Sequence, residues 1–165
     1  MIFATVGTQL PFDRLVRALD QWASLNPHEE IFAQIGQAEY IPENLEWART
    51  IPVDKFRSNL EQCHVVVAHA GMGTIISAAE LGKTVVVLPR RAGLGEHRND
   101  HQLATADQLR HLNGLEVADD CESLKQLLDD NSGLAHNPFS AKPAGFDVSD
   151  TLITRVRSFA GLEAS

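Results

Sequence analysis

Cysteine, basic charge and long apolar runs are all scarce in this chain of 165 residues, and each scarcity excludes a class of protein. The two cysteines, Cys63 and Cys121, lie far apart in no C-x-x-C pattern, so we expect reduced thiols rather than a disulfide. The formal net charge is -8, whereas a nucleic-acid surface needs an excess of lysine and arginine on one face. Nucleic acid is therefore not an expected partner.

The longest apolar runs have the length of a β-strand, so the sequence predicts no transmembrane helix. The first residues enter a predicted strand without a basic segment ahead of them, so no signal peptide is predicted either. We therefore expect a cytoplasmic protein that does not insert into a membrane. With 44% hydrophobic residues, the chain is expected to form one domain with a substantial core.

Residues 65–102 carry the clearest pattern in the chain, and the rest is organised around them. Two valine-rich strands are predicted at residues 65–68 and 85–88, with a glycine-containing turn and a helix to about Leu81 between them. Valine runs without polar alternation are typical of parallel strands covered on both faces, so this segment predicts a βαβ unit. Ligands of such sheets bind outside the carboxyl ends of the strands, where the turn and the following loop lie.

The turn at residues 69–74 favours an anionic ligand. Gly71 and Gly73 let the backbone approach a ligand without a Cβ, and Thr74 adds a hydroxyl in the first helical turn. The unpaired N–H groups and the dipole of the following helix attract a phosphate. A strand-to-helix turn also needs small residues for steric reasons alone, so the pattern by itself leaves a purely structural explanation open.

Alternating units of strand and helix are predicted along the whole chain. Further strands are predicted at residues 2–6, 31–35, 50–53 and 115–118, and helices at 11–25, 54–60, 101–112 and 122–128. Residues 40–49 are expected to connect, 131–149 to form a linker or loop, and 150–160 to form a closing helix. Thr8 and Gln9 follow the first strand and face the same expected site, although Thr8 also suits a helix cap. The fold class is a single Rossmann-like α/β domain, core 1–130, with a mainly parallel sheet.

The loop at residues 89–102 concentrates charged and polar side chains just after a predicted buried strand, where α/β folds place binding groups. His97 and His101 are spaced by four but lie across a loop and a helix start, so no metal site is predicted. The sequence also has no G-x-S-x-G motif, no P-loop and no cysteine with a histidine partner. Nucleophilic catalysis is therefore not predicted.

Several features, taken in order, resemble the nucleotide-sugar half of GT-B glycosyltransferases, and specifically the glycosyltransferase family 28 C-terminal domain. They are the H-x-G turn at residues 69–71, Gly82 with Lys83, Pro89, and His101 with Gln102. The resemblance covers the chain from Met1 to about Leu128. It extends to the catalytic subunits of two-component glycosyltransferases in the dolichol pathway and in bacterial exopolysaccharide synthesis.

The resemblance implies which residues bind the nucleotide of a UDP-sugar donor. Thr8 and Gln9 correspond to the family's first phosphate-side turn, and Val53 corresponds to the residue whose backbone meets the uracil. His69 belongs to the same phosphate turn, where a donor role is expected rather than that of a base. The amides that hold the diphosphate correspond to Gly71, Met72, Gly73 and Thr74.

The resemblance also implies the contacts to the two sugars. Asp100, His101 and Gln102 correspond to the region that reads the hydroxyls of the transferred sugar. The position of the family's ribose-binding glutamate is occupied by Ser77, and the nearest carboxylate, Glu80, lies about one helical turn further on. Ser77 and Glu80 are therefore alternative ribose contacts.

A GT-B enzyme has two Rossmann-like halves, and this sequence corresponds to one of them. The resemblance therefore implies a hexosyltransferase subunit that acts with a membrane-anchored acceptor-binding subunit on a lipid-linked glycan, in exopolysaccharide or glycolipid synthesis. Transfer is expected to be inverting and free of metal or other cofactors, with the base on the partner and His69 as the candidate in this chain. The partner would recruit the chain to the inner face of the membrane.

Two other functional classes remain open. One is a module that binds a nucleotide or nucleotide sugar without turnover, and the other is an interaction subunit with a vestigial site. For the proposed partner, residues 89–98 together with 150–159 are the expected contact surface beside the crevice.

Overall fold

Six parallel strands form one sheet in the computed structural model, which describes residues 1–130. The strands are β1 (Ile2–Thr5), β2 (Ile31–Gln34), β3 (Glu46–Ala48), β4 (Val65–Ala68), β5 (Thr84–Val87) and β6 (Leu115–Val117). Their spatial order is β3-β2-β1-β4-β5-β6, and every neighbouring pair is parallel. From β1 the strand order runs to β2 and β3 on one side and to β4, β5 and β6 on the other. Such a switch point opens a crevice at the carboxyl ends of β1 and β4.

Within residues 1–130, five helices cover the two faces of this sheet. They are α1 (Asp13–Leu25), α2 (Val53–Gln62), α3 (Met72–Glu80), α4 (His101–Leu109) and α5 (Cys121–Asp129), and a 3-10 turn spans Ala92–Leu94. Successive strand residues alternate between two apolar cores: Ile2 packs with α1 and α5, whereas Phe3 packs with α2, α3 and α4. The predicted mainly parallel Rossmann-like domain is therefore confirmed. None of the helices in residues 1–130 is long and apolar enough to span a membrane.

The edge of the sheet is where the sequence-based prediction was wrong. Residues 50–53 form no strand, and β3 lies instead in the segment that was expected to be only a connection. Two of its three residues, Glu46 and Trp47, are exposed at the sheet edge, so the strand carries no apolar period. Pro52 is the N-cap of α2, which makes Val53 the first residue of that helix with 85% of its surface exposed.

The start of α1 also differs from the prediction. Pro11 was expected in the helix, but α1 begins at Asp13 after the N-cap Phe12, and no side chain of the described residues caps it. Thr8 is therefore not a helix cap and is left exposed beside the sheet. The helix predicted from residue 54 begins one residue earlier, so Asp54 is the second residue of α2. The linker predicted at 131–149 and the closing helix at 150–160 lie outside the described residues.

Candidate functional site

A cavity of about 720 Å³ opens at the carboxyl ends of β1 and β4, at the switch point of the sheet. Its walls come from the turn after β1, the start of α2, the turn after β4 with the first half of α3, and the loop between β5 and α4. The predicted residues that line it are Thr8, Gln9, Val53, His69, Gly71, Met72, Gly73, Thr74, Ser77, His101 and Gln102. Two others, Glu80 and Asp100, are not among the lining residues.

Glycines from two turns, the one after β1 and the one after β4, lie against the imidazole of His69. Gly7, at the end of β1, has a φ of 78° and lies so close that a Cβ there would be 2.7 Å from His69 Cε1. Gly71 packs against the same ring from the other turn. The two glycines are therefore required because the ring of His69 fills the space that any side chain would occupy.

The electrostatic setting of His69 makes it neutral near pH 7. Burial lowers the pKa of His69 to about 4, and the positive charges of Arg90 and His97 add to this shift. Its Nδ1 atom is buried and has no hydrogen-bond partner among the described residues. A group with so low a pKa is a weak proton acceptor, so the imidazole is better suited to hydrogen bonding than to general-base catalysis.

The first turn of α3 offers backbone donors to the cavity. The helix begins at Met72 after the N-cap Gly71, and no side chain within residues 1–130 caps it. Those groups have no intrahelical acceptor and carry the positive end of the helix dipole. A Cβ added at Gly73 would have no heavy atom within 4 Å, so the backbone here is open to a ligand.

Ser77 and Glu80, the alternative ribose contacts, occupy different environments. Ser77 is half-buried and lines the cavity, whereas Glu80 is exposed at the last residue of α3. Asp100 is likewise turned to the loop: its Oδ1 accepts a hydrogen bond from the backbone N–H of Ala92 at 2.7 Å. Of the carboxylates predicted in the site, neither reaches the cavity wall.

Another wall of the cavity is built by the loop after β5 and the start of α4. Gln102 is buried, and its Oε1 accepts a hydrogen bond from the backbone N–H of Arg90 at 3.1 Å. The ring of His101 lies edge-on to that of His97, with 4.4 Å between the ring centroids. Burial, and then the charges of His101, Arg90 and Arg98, lower the pKa of His97.

Several lining residues were not predicted as site residues. Thr5 and Gln34 are the last residues of β1 and β2, and the Thr5 hydroxyl donates to Gln34 Oε1 at 3.0 Å. A polar residue that ends an otherwise apolar strand is the signal that identifies them. Arg90 and His97 lie in the polar loop that the sequence pointed to, but nothing in its sequence distinguishes them from their charged neighbours. The remaining residues on the wall that were not predicted as site residues are Val6, Gly7, Leu10, Ile51, Phe56, Ala70 and Thr105.

The charge of the cavity wall is opposite in sign to that of the chain. No aspartate or glutamate is among the described residues that line it, although the sequence has a net charge of -8. Its titratable side chains are Arg90, His69, His97 and His101. Within residues 1–130, no three His, Cys, Asp or Glu side chains are grouped as metal ligands. The wall is thus suited to an anion.

A Rossmann-like domain with an anion-suited pocket at its switch point is the class that this fold and site define. The model of the glycosyltransferase family 28 C-terminal domain matches residues 1–149, and the chain belongs to this family. A curated relative is the human (Homo sapiens) UDP-N-acetylglucosamine transferase subunit ALG13, which is 30% identical over 118 residues. That match covers 66% of this chain and 10% of the relative, so the chain spans about a tenth of the relative's length.

Solved structures show the same fold. The glycotransferase of kitacinnamycin matches with a TM-score of 0.62 and 22% identity, over 95% of this chain and 39% of that protein. MurG of Acinetobacter baumannii matches with a TM-score of 0.56 and 19% identity, over 94% of this chain and 49% of that protein. An NMR solution structure of ALG13 matches with a TM-score of 0.62 and 17% identity, over 91% of this chain and 92% of that protein. The fold is therefore that of the carboxyl-terminal half of GT-B glycosyltransferases.

Proposed function

We propose that this chain is the catalytic, UDP-sugar-binding subunit of a two-component inverting glycosyltransferase. It acts with a membrane-anchored acceptor-binding subunit on a lipid-linked glycan in exopolysaccharide or glycolipid synthesis. Membership of glycosyltransferase family 28 supports a transferase. The observation that carries the proposal is the cavity at the switch point, where two glycine turns, a free helix start and the His101-Gln102 pair converge.

The lining suggests how the donor lies. The uracil is proposed at the start of α2, where Ile51 and Phe56 provide apolar surface and the backbone of Val53 offers an N–H without an intrahelical acceptor. The diphosphate is proposed over the first turn of α3, where backbone N–H groups and the helix dipole stabilise negative charge. The transferred sugar then extends toward His101 and Gln102.

We propose that the departing diphosphate is stabilised without a metal ion. Hard divalent cations at a diphosphate are usually held by carboxylates, and the described wall of the cavity presents amides, hydroxyls and imidazoles instead. The backbone donors of α3 supply positive potential that is already in place before the reaction. UDP binding that is unchanged by excess EDTA would agree with this proposal, and binding that requires added Mg²⁺ or Mn²⁺ would contradict it.

The base is proposed to come from the partner subunit. His69, with a pKa of about 4, is a weak base near neutral pH. The acceptor hydroxyl also needs a water-poor cleft, and the cavity of this domain is open on one side. Residues 89–98 remain the proposed contact surface in the described part of the chain, with Leu94 59% exposed there, while 150–159 lie outside it.

Two measurements test the proposal. Isothermal titration of the purified chain should show binding of UDP and UDP-sugars and weaker binding of purine nucleotides. Transfer from a labelled UDP-sugar to lipid should appear only when membranes that contain the companion subunit are added.

The outcomes separate the candidate functions. An absence of UDP binding would favour an interaction subunit with a vestigial site. Binding without transfer in the presence of the companion would favour a non-catalytic binding module. Robust transfer by the chain alone would overturn the two-component mechanism.

A further inference from the structure

Arg90 is a charged residue on the cavity wall with only 3% of its surface exposed. Its guanidinium is bonded to four backbone carbonyl oxygens. Nη1 donates to Pro11 O at 2.6 Å and Glu96 O at 3.2 Å, and Nη2 donates to Val6 O and Leu10 O at 2.8 Å each. Arg90 therefore joins the loop after β5 to both ends of the turn after β1.

The ring of Phe12 also fixes the plane of this guanidinium. Arg90 stacks over the ring of Phe12, with 4.5 Å between Cζ and the ring centroid, and Phe12 is fully buried. The residues between the anchored carbonyls, Gly7 to Gln9, are the ones that line the cavity. Because both ends of the turn are bonded to one rigid group, the turn is held in a single position relative to the cavity.

The positive charge of Arg90 has no carboxylate partner in the described part of the chain. Within residues 1–130, no aspartate or glutamate forms an ion pair with it. The carboxylate whose charge acts on it, Glu96, is bonded through both oxygens to Arg14, at 2.6 and 2.8 Å, and also accepts from the Arg91 N–H. Burial lowers the pKa of Arg90, and Glu96 opposes this shift without reversing it.

Buried charges in proteins are usually paired, because removing an ion from water is costly. Here carbonyl dipoles and the ring of Phe12 contact the charge, and they leave its long-range field directed into a cavity whose described wall has no carboxylate. An anion in that cavity would interact with this field more strongly than it would through water.

We propose that Arg90 is the positioning residue and electrostatic anchor for the diphosphate: it attracts the phosphates at a distance while it holds the turn that meets them. Its Nη1 and Nη2 are occupied by carbonyls, so its effect on the ligand acts through charge and through the turn. The inference rests on the proposed function only in assuming an anionic ligand for the cavity.

The test compares ligands of increasing charge. Dissociation constants of uridine, UMP and UDP are measured by isothermal titration for the wild-type chain and Arg90→Met at low ionic strength. We expect UDP to bind about 10- to 100-fold more weakly to the variant, UMP to show a smaller loss, and uridine to change less than about threefold. A purely structural role would weaken all three ligands by the same factor, and that result would overturn the proposal.

Two further variants control for charge and for folding. Lys83→Met removes a cation that also bonds backbone carbonyls, Glu61 O at 2.7 Å and Cys63 O at 2.9 Å, but at the amino end of β5, and should leave all three constants within about twofold. Arg90→Lys keeps the charge, so the ratio of UDP to uridine affinity should stay within about threefold of wild type. If Arg90→Met does not fold, Arg90→Gln replaces it, since an amide still donates to the carbonyls.

Inorganic pyrophosphate separates this inference from the proposed function. If the wild-type chain binds pyrophosphate in a manner that depends on Arg90 but does not bind UDP, the proposed function fails and the role of Arg90 stands. If neither anion binds the wild-type chain, both are overturned.

Discussion

Gly71 lies against the imidazole of His69 so closely that a Cβ on Gly71 would be 2.2 Å from His69 Nε2. No real pair of such atoms approaches this far, so the glycine is required by a side chain two residues away rather than by its own backbone angles. The contact packs Gly71 against the ring of the half-buried His69, and a substitution at Gly71 is expected to act through it.

Gly71→Ala should therefore destabilise the domain by about 1 to 3 kcal/mol, because the backbone or the ring must move to admit the methyl group. The measurement is the free energy of unfolding in urea. Gly73→Ala is the matched control: it lies in the same turn, has no atom within 4 Å of the new Cβ, and should be neutral or slightly stabilising. In the double variant Gly71→Ala/His69→Ala the loss should be partly relieved; a strictly additive effect would mean that the ring is not the cause.

Gly73→Val tests the placement of the diphosphate. The new side chain has room in the folded domain but projects from backbone that lines the cavity, so it should block a phosphate without unfolding the chain. We expect UDP affinity to fall at least about tenfold, which is a loss of about 1.4 kcal/mol, with an unfolding midpoint close to that of Gly73→Ala. An unchanged affinity in the folded variant would exclude the first turn of α3 as the phosphate site.

The ribose contact can be assigned with deoxy-UDP as the second ligand. Since Ser77 lines the cavity and Glu80 is exposed at the end of α3, we expect Ser77→Ala to weaken UDP by about 0.5 to 1.5 kcal/mol more than deoxy-UDP. Glu80→Gln should alter both ligands equally. A selective loss of UDP in Glu80→Gln would reverse this assignment and make Glu80 the replacement for the family's carboxylate.

Asp20 should make the domain sensitive to acid. Burial acts to raise the pKa of Asp20, but the hydrogen bonds that it accepts from Tyr40, Asn44 and Glu43 outweigh burial and lower it. A lowered folded pKa means that this stabilisation is present above the unfolded pKa, near 4, and is lost as the pH falls through the folded value. Asp20→Asn should thus lose about 1.5 to 3 kcal/mol at pH 7 and much less at pH 3.

The unfolding free energy at these two pH values is the measurement for Asp20. Tyr40→Phe removes one of the hydrogen bonds, 2.5 Å long, and leaves the carboxylate, so it should show a smaller loss with the same dependence on pH. If Asp20→Asn lowers the unfolding free energy by the same amount at pH 7 and at pH 3, the charge of Asp20 does not stabilise the connection between β2 and β3.

The sequence by itself determined the central unit and the faces of the helices. The bounds of β4 and β5 were predicted to within one residue. A run of valines indicates a strand that is buried on both faces, and this pattern is visible in the local sequence. Helical spacing is also local: Leu15, Leu19 and Trp22 recur on one face of the helix predicted at residues 11–25, and all three are buried. The glycine turn followed from its place between strand and helix. The positions outside that turn were assigned mostly by the family resemblance, and most of the predicted donor-binding positions line the cavity.

Only the tertiary structure decided the edge of the sheet, the partner of Gly71 and the burial of Arg90. β3 is a strand because β2 offers it a ladder, although its own residues are mostly exposed. In the sequence, Arg90 is one of several charged residues in a polar loop. In the structure it is buried against carbonyls that lie about eighty residues earlier in the chain. Such contacts leave no periodic trace in either segment, because they depend on how the parallel sheet brings the ends of β1 and β5 to the same edge.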